Sequence, residues 1–159
     1  MLSFPTQTIS AGAIQVNGTL DPDDKVWQEG DTRPRGVGVV VEGRLSVAGH
    51  GRYYFSGTLT GDVTGECRRC LTEVVTSQTT EVHVLYADAL HVDEEDPDVL
   101  PLGQGRGGTE VDLRPAVRQE WLLDIPAFVE CSPDCRGLCP DCGANLNQGA
   151  HVCTRKSHE

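Results

Sequence analysis

The sequence predicts an α+β fold that is rich in strand: an antiparallel meander with one packed amphipathic helix and a C-terminal segment of a different kind. Three observations predict it. From residue 37 to residue 66 apolar and polar side chains alternate with a period of two, as in half-buried strands, and Thr72–Tyr86 is rich in Val and Thr. Between 112 and 126 the period changes once to that of a helix. From 131 onward, four cysteines fall within twelve residues, a pattern that neither period explains.

The first 34 residues carry scattered apolar side chains (Leu2, Phe4, Ile9, Ile14, Val16, Leu20, Val26 and Trp27) and the turn-forming run Asp21-Pro22-Asp23-Asp24. Of these, only Ile14–Leu20 reads as a strand. Beyond Gly36, Val37, Val39, Val41, Leu45 and Val47 share one parity, with Glu42, Arg44 and Ser46 on the other. Gly49-His50-Gly51 then supplies a turn. A second strand is expected over Arg52–Glu66, with Phe55, Leu59 and Val63 on its apolar face. Gly57, Gly61 and Gly65 fall on that same face, where they mark bends or close packing. Cys67-Arg68-Arg69-Cys70 forms the turn into a third strand, Thr72–Tyr86. Sequential strands with short connections make a meander.

Residues 87–108 read as a long, mobile, solvated excursion. Asp88, Asp93, Glu94, Glu95, Asp96 and Asp98 come without a basic residue, and a glycine-rich run follows. Asp112 then reads as the N-cap of a helix with Pro115 in its first turn. Leu113, Ala116, Val117 and Trp121 recur at helical spacing, Leu122 and Leu123 widen the stripe, and Pro126 limits it.

A chain of 159 residues has room for one domain of ordinary size with a small appendage. The expected division is a β-rich domain over 1–128 and a cysteine-rich tail over 129–159. No apolar run approaches the roughly 20 residues of a membrane helix. The start, MLSFPTQTIS, has neither the basic head nor the apolar stretch of a signal peptide, so a cytoplasmic location is expected. Net charge is −11, from 24 acidic and 13 basic residues. Proteins that grip RNA through its phosphates carry basic patches, so charge does not favour direct contact with RNA. It favours a basic protein as partner.

There are seven cysteines, and five lie between 131 and 153. An odd number without a signal peptide argues for metal rather than a disulfide framework. Cys139-Pro140-Asp141-Cys142-Gly143 reads as a metal knuckle. Two thiolates three positions apart grip one ion from a tight turn, Pro140 fixes its φ, and Gly143 is free to take positive φ. A structural Zn2+ takes four such ligands. The favoured set is local, Cys131, Cys135, Cys139 and Cys142, because near ligands cost less loop-closure entropy. Cys153 or His151 is able to replace one of them. The alternative is a two-knuckle ribbon joining Cys67 and Cys70 to Cys139 and Cys142. Such a tail would be a C-terminal zinc-knuckle segment.

Other chemistries fit less well. Cys67/Cys70 as a thiol redox pair would want a strand feeding a helix N-terminus, and strands flank it on both sides. A catalytic zinc would keep an open position and a nearby base, and the cluster has no Glu beside a His. The glycines at 103, 105, 107 and 108 lack the Gly-Lys-Ser/Thr of a phosphate loop, and the acidic run lacks the spacing of a calcium loop. His50, His83, His91 and His158 are isolated, and no Gly-x-Ser-x-Gly elbow is present. No catalytic residue, enzymatic activity or small-molecule substrate is expected.

Several segments together resemble a known family. They are Gly65-Glu66-Cys67-Arg68-Arg69-Cys70-Leu71, the acidic loop, Val111-Asp112-Leu113-Arg114-Pro115 running into Leu122-Leu123-Asp124-Ile125-Pro126, and the block from Cys131 to Asn147. They are similar to the YceD family, the large ribosomal RNA subunit accumulation proteins of bacteria and plastids, over roughly residues 35–153. The block at 131–147 is the most specific part, because its cysteine order, Gly-Leu-Cys-Pro core and Asn-Leu-Asn tail match together. The resemblance implies a non-enzymatic cytoplasmic protein needed for accumulation of large-subunit (23S) ribosomal RNA. Its partner would be a ribosome-assembly protein or a large-subunit precursor. Family members differ in the cysteine-rich tail, which implies an auxiliary role for zinc. The ending His151-Val152-Cys153 departs from the Cys-x-Cys ends of some members.

Overall fold

The computed structural model of the protein describes residues 1–88 and 98–153. The chain forms two compact units. One is built from Met1–Val63 and Ser77–Ile125, the other from Thr64–Thr76 and the chain from Pro126 onward.

The first unit is organised by a five-stranded sheet in the order β2-β3-β4-β5-β6. Its strands are β2 (Ile14–Leu20), β3 (Val39–Val47), β4 (Arg52–Glu66), β5 (Glu73–Ala87) and β6 (Val99–Pro101). The expected strands thus form, β2 and β4 with the expected bounds. β2 pairs antiparallel with β3, and β3 with β4. The register sets Val41 opposite Leu59 and Leu45 opposite Phe55, so the apolar sets of neighbouring strands share one face. Val39, Val41, Leu45, Phe55 and Leu59 are all buried. Val37 and Val47 share their parity but are exposed. Val37 precedes β3 and Val47 ends it, so alternation alone overestimates the buried stripe.

The glycines of β4 mark close packing. Gly43 and Gly57 face each other across β3 and β4, and a Cβ on either would lie 2.9 or 2.8 Å from the Phe55 ring. A Cβ on Gly61 would meet the Trp121 ring at 3.1 Å. At Gly43 and Gly57 a Cβ would also strike the backbone of the facing strand, so these glycines admit both the neighbouring strand and an aromatic ring.

The helix α2 (Arg114–Leu123) buries Ala116, Val117 and Trp121. Its N-cap is Leu113 rather than Asp112. Asp112 acts one position earlier, its carboxylate accepting the Arg114 backbone N–H at 3.1 Å in an Asx-type turn. Leu123 is exposed and does not extend the apolar stripe. Trp121 Nε1 donates to the Thr32 carbonyl at 3.1 Å, and Arg118 makes two bonds to the Asp31 carboxylate at 2.6 and 2.8 Å. These contacts tie the loop before β3 to the helix.

Two expectations need correction. The N-terminal apolar residues are organised: Leu2, Ile9, Val16, Leu20 and Trp27 are buried in the main core, and Thr6–Ala11 is a short helix, α1. Residues 98–108 are not a solvated excursion. β6 pairs in parallel with β5, while β7 (Gly103–Gly105) and β8 (Gly108–Asp112) join β1 (Ser3–Pro5) in a three-stranded sheet of order β1-β8-β7. Glycine-rich sequence suits a tight hairpin as well as a linker, and the decisive partner, β1, lies a hundred residues away. Most of the acidic run, with His91, lies at 89–97, outside the described residues, as does His158.

The second unit holds the turn between β4 and β5 together with the tail. Its buried cluster is Cys67, Cys70 and Cys135, with Val74 and Leu138 packed against it.

Candidate metal centre

The chain makes the same backbone turn twice. In the first copy the Leu71 N–H donates to the Cys67 carbonyl at 2.8 Å, and the Cys67 N–H donates to the Thr72 carbonyl at 2.8 Å. In the second, the Gly143 N–H donates to the Cys139 carbonyl and the Cys139 N–H to the Ala144 carbonyl, both again at 2.8 Å. Each turn is Cys-x-x-Cys followed by a residue of positive φ, 59° at Leu71 and 74° at Gly143. Glycine takes that conformation readily. A leucine there is strained, which is expected only where the surroundings require the turn.

Each knuckle aims two sulfurs at a second pair. A parallel bridge sets Cys67 beside Val129, and the Arg68 N–H donates to the Val129 carbonyl at 2.9 Å. This brings Cys131 and Cys135 onto the first knuckle. Cys67 Sγ lies 3.8 Å from Cys135 Sγ, and Cys70 Sγ lies 3.6 Å from Cys131 Sγ. Both separations are far beyond a disulfide bond. They match the edge of a tetrahedron of sulfurs around zinc, about 3.8 Å for Zn–S near 2.3 Å. The four sulfurs lie within 4.8 Å of one another. A second group, Cys139, Cys142, His151 and Cys153, meets the same limit, with Cys142 Sγ 3.1 Å from His151 Nε2.

The thiols of the first group are driven apart in acidity. Backbone N–H groups of Cys131, Cys70 and Arg69 bring the Cys67 thiol down to about 6, and the side chain and backbone of Thr72 lower that of Cys70. The neighbouring sulfurs of Cys135 and then Cys70 push the Cys131 thiol up to about 12. Once some of these sulfurs are thiolates, the next resists ionising unless a positive ion joins them. In the second knuckle, the N–H groups of Cys142 and Asp141 lower the Cys139 thiol to about 6.

The surrounding side chains fasten the ligand-bearing segments. Arg68 pairs with Glu130 at 2.6 Å, and Arg69 Nη1 donates to the Cys135 carbonyl at 3.0 Å. Asn147 accepts the Arg136 N–H at 2.8 Å and places its own Nδ2 3.4 Å from Cys135 Sγ. Thr72 sets its hydroxyl 3.2 Å from Cys70 Sγ. The sequence marks Asn147 only as part of the block that carries the family resemblance and gives Thr72 no role at the site. The clustered amides of Asn-Leu-Asn beside a cysteine block were the available signal.

A family model described as large ribosomal RNA subunit accumulation protein YceD matches residues 55–159. The chain belongs to the YceD family. That match spans all seven cysteines and therefore both ligand groups. An uncharacterized protein of Mycobacterium tuberculosis H37Rv is 32% identical over 91 residues, which is 57% of this chain and 44% of that protein. One from Mycobacterium leprae is 30% identical over 91 residues, 57% of this chain and 42% of its own. A chloroplastic YCED homolog 1 of Zea mays, named as a large ribosomal RNA subunit accumulation protein, is 45% identical over 38 residues, 24% of this chain and 13% of its own. The chain therefore spans less than half the length of these curated relatives. No solved structure matches it.

In this YceD chain the four cysteines of the local set do not meet at one point. Cys131 and Cys135 sit with Cys67 and Cys70, while Cys139 and Cys142 sit with His151 and Cys153. The two Cys-x-x-Cys knuckles do not share a group either. His83 stacks on Tyr54 and meets its hydroxyl at 2.8 Å, and it belongs to neither group. No helix among the described residues is long and apolar enough to cross a membrane.

Proposed function

We propose that this chain is a non-enzymatic ribosome-biogenesis factor of the cytoplasm that supports accumulation and processing of large-subunit (23S) ribosomal RNA. The observation that carries the reading is the match of the family model across the β4–β5 turn and the whole cysteine tail. The factor works by binding a ribosome-assembly protein or a large-subunit precursor. A net charge of −11 suits a basic assembly protein better than naked RNA. Its cysteines hold structural zinc, which gives a tail poor in apolar residues a fixed shape to present.

The alternative, thiol redox chemistry at Cys67 and Cys70, loses support from burial. Cys67 is 0% exposed and Cys70 5% exposed, and a reactive dithiol needs access for its substrate.

The test is depletion of the protein in its own host, with rescue by the wild-type chain or by Cys67→Ser. The expected result is a fall of 23S relative to 16S ribosomal RNA, restored by the wild type and poorly by the variant. An unchanged ratio on depletion would overturn the ribosomal reading. Full rescue by Cys67→Ser would overturn the role given to zinc.

A further inference from the structure

We propose that the chain binds two zinc ions, the second at a three-sulfur, one-nitrogen site formed by Cys139, Cys142, His151 and Cys153. This extends the zinc reading to a second ion and does not depend on the ribosomal role.

The donor atoms are the first argument. All four lie within 4.8 Å of one another, and no residue is shared with the all-cysteine group. Eight ligands in two closed sets of four satisfy two tetrahedral ions, and three cysteines with one histidine is an established structural zinc set.

The backbone supplies the second argument. The knuckle at 139–143 repeats the hydrogen bonds of the knuckle at 67–71, distance for distance. A turn built to hold thiolates is thus present in both groups.

Little besides a metal could order this segment. Among the described residues from 139 to 153, only Cys139 is buried, and the single 3-10 turn there, Leu146–Gln148, buries nothing. A stretch with no apolar interior cannot offset the entropy of a fixed conformation by burial. Four metal bonds can, with the displaced thiol protons passing to solvent.

The two sites differ in a way that can be measured. Three of the four ligands of the all-cysteine group are buried, whereas Cys142 is exposed and Cys153 half-buried. The second ion is therefore the one a chelator reaches first.

The experiment uses the full chain purified without added metal. Elemental analysis is expected to give two zinc ions per chain, and X-ray absorption at the zinc edge an average shell of seven sulfurs to one nitrogen. His151→Ala and Cys142→Ser should each halve the zinc and leave an all-sulfur shell. Cys67→Ser should halve it and leave the shell containing nitrogen. A colorimetric chelator should withdraw the wild-type zinc in two phases, the fast one missing in His151→Ala. One zinc per chain with an all-sulfur shell, unchanged by His151→Ala, would overturn the second site while sparing the first. No zinc at all would overturn both. The wild-type shell decides even if Cys67→Ser fails to fold, because imidazole nitrogen at zinc can come only from a histidine.

Discussion

The two units of this protein are held together by different physics. The first buries a continuous cluster running from Leu2 to Trp121, with Phe55, Tyr86 and several Val and Leu side chains fully enclosed. The second has only Cys67, Cys70 and Cys135 in its buried cluster, with Val74 and Leu138 beside them. Hydrophobic burial is non-directional and tolerates modest change, so the first unit has many small supports. With the proposed zinc bound, the second has few supports, each large, because ligand geometry is directional and concentrated in a few atoms.

The largest expected effect follows from that contrast. Stripping zinc with a strong chelator, or replacing Cys67 by Ser, should abolish amide exchange protection over 64–76 and 126–153 while leaving 14–63 and 77–125 protected. Loss of protection throughout would mean that the first unit also depends on the metal, and the comparison would fail. Next comes the reverse experiment. Trp121 is fully buried and fills the space left by Gly61. Trp121→Ala should cost about 3–5 kcal/mol in chemical denaturation. Its zinc content should be unchanged.

The same contrast explains what the sequence made legible. Strand and helix periods report burial along a continuous face, so the apolar face of β4 and the buried Ala116, Val117 and Trp121 of α2 were legible, while the α2 cap and the exposed Leu123 were not. Leu2, Ile9 and Trp27 were not legible either, because each reaches the core from irregular or very short elements that carry no period. Nor was β8, whose partner β1 is remote in sequence. The cysteines suggested a metal site by residue type, but their spacing did not give the two groups in which the structure places them. Loop-closure entropy favours near ligands only while the chain between them is unstructured. Here the β4–β5 turn and the Cys67–Val129 bridge have already brought distant residues together. The choice of partners for Cys131 and Cys135 is thus made by pairing across the sheet end, which spacing does not encode.

A finer test compares the two knuckles with each other. Leu71 holds φ at 59°, and Gly143, the equivalent residue, holds 74°. Leu71 is also exposed, so its side chain contributes little packing. Leu71→Gly should therefore relieve strain and stabilise the first knuckle, by about 1 kcal/mol after the entropy glycine adds to the unfolded chain. Gly143→Ala should destabilise the second by about 1 kcal/mol. Both are measured by competition for zinc against a chelator of known affinity. If Leu71→Gly weakens zinc binding instead, the leucine side chain does something for the site that its exposed position conceals.

The smallest expected effect separates the two units by acid. Arg118 and the Gln28 N–H, which donates at 2.7 Å, hold the Asp31 carboxyl below its ordinary value of 3.8. A carboxyl depressed in the folded state stabilises the fold above its unfolded pKa, and that contribution disappears as pH falls through the folded value. The window lies below about pH 4. Metal thiolates also take up protons in acid, so the proposed zinc would leave the second unit as pH falls, for an unrelated reason. The two events can be told apart because both tryptophans of the chain, Trp27 and Trp121, are buried in the first unit. Tryptophan fluorescence should follow the first unit, and zinc release the second. Asp31→Asn keeps the shape and one acceptor for Arg118, so at pH 7 it should lower the tryptophan-monitored melting temperature only slightly. That difference from wild type should close below pH 4, with the zinc-release curve the same in both proteins. A zinc-release curve displaced by Asp31→Asn would mean that acid couples the two units, and that burial and metal do not support them independently.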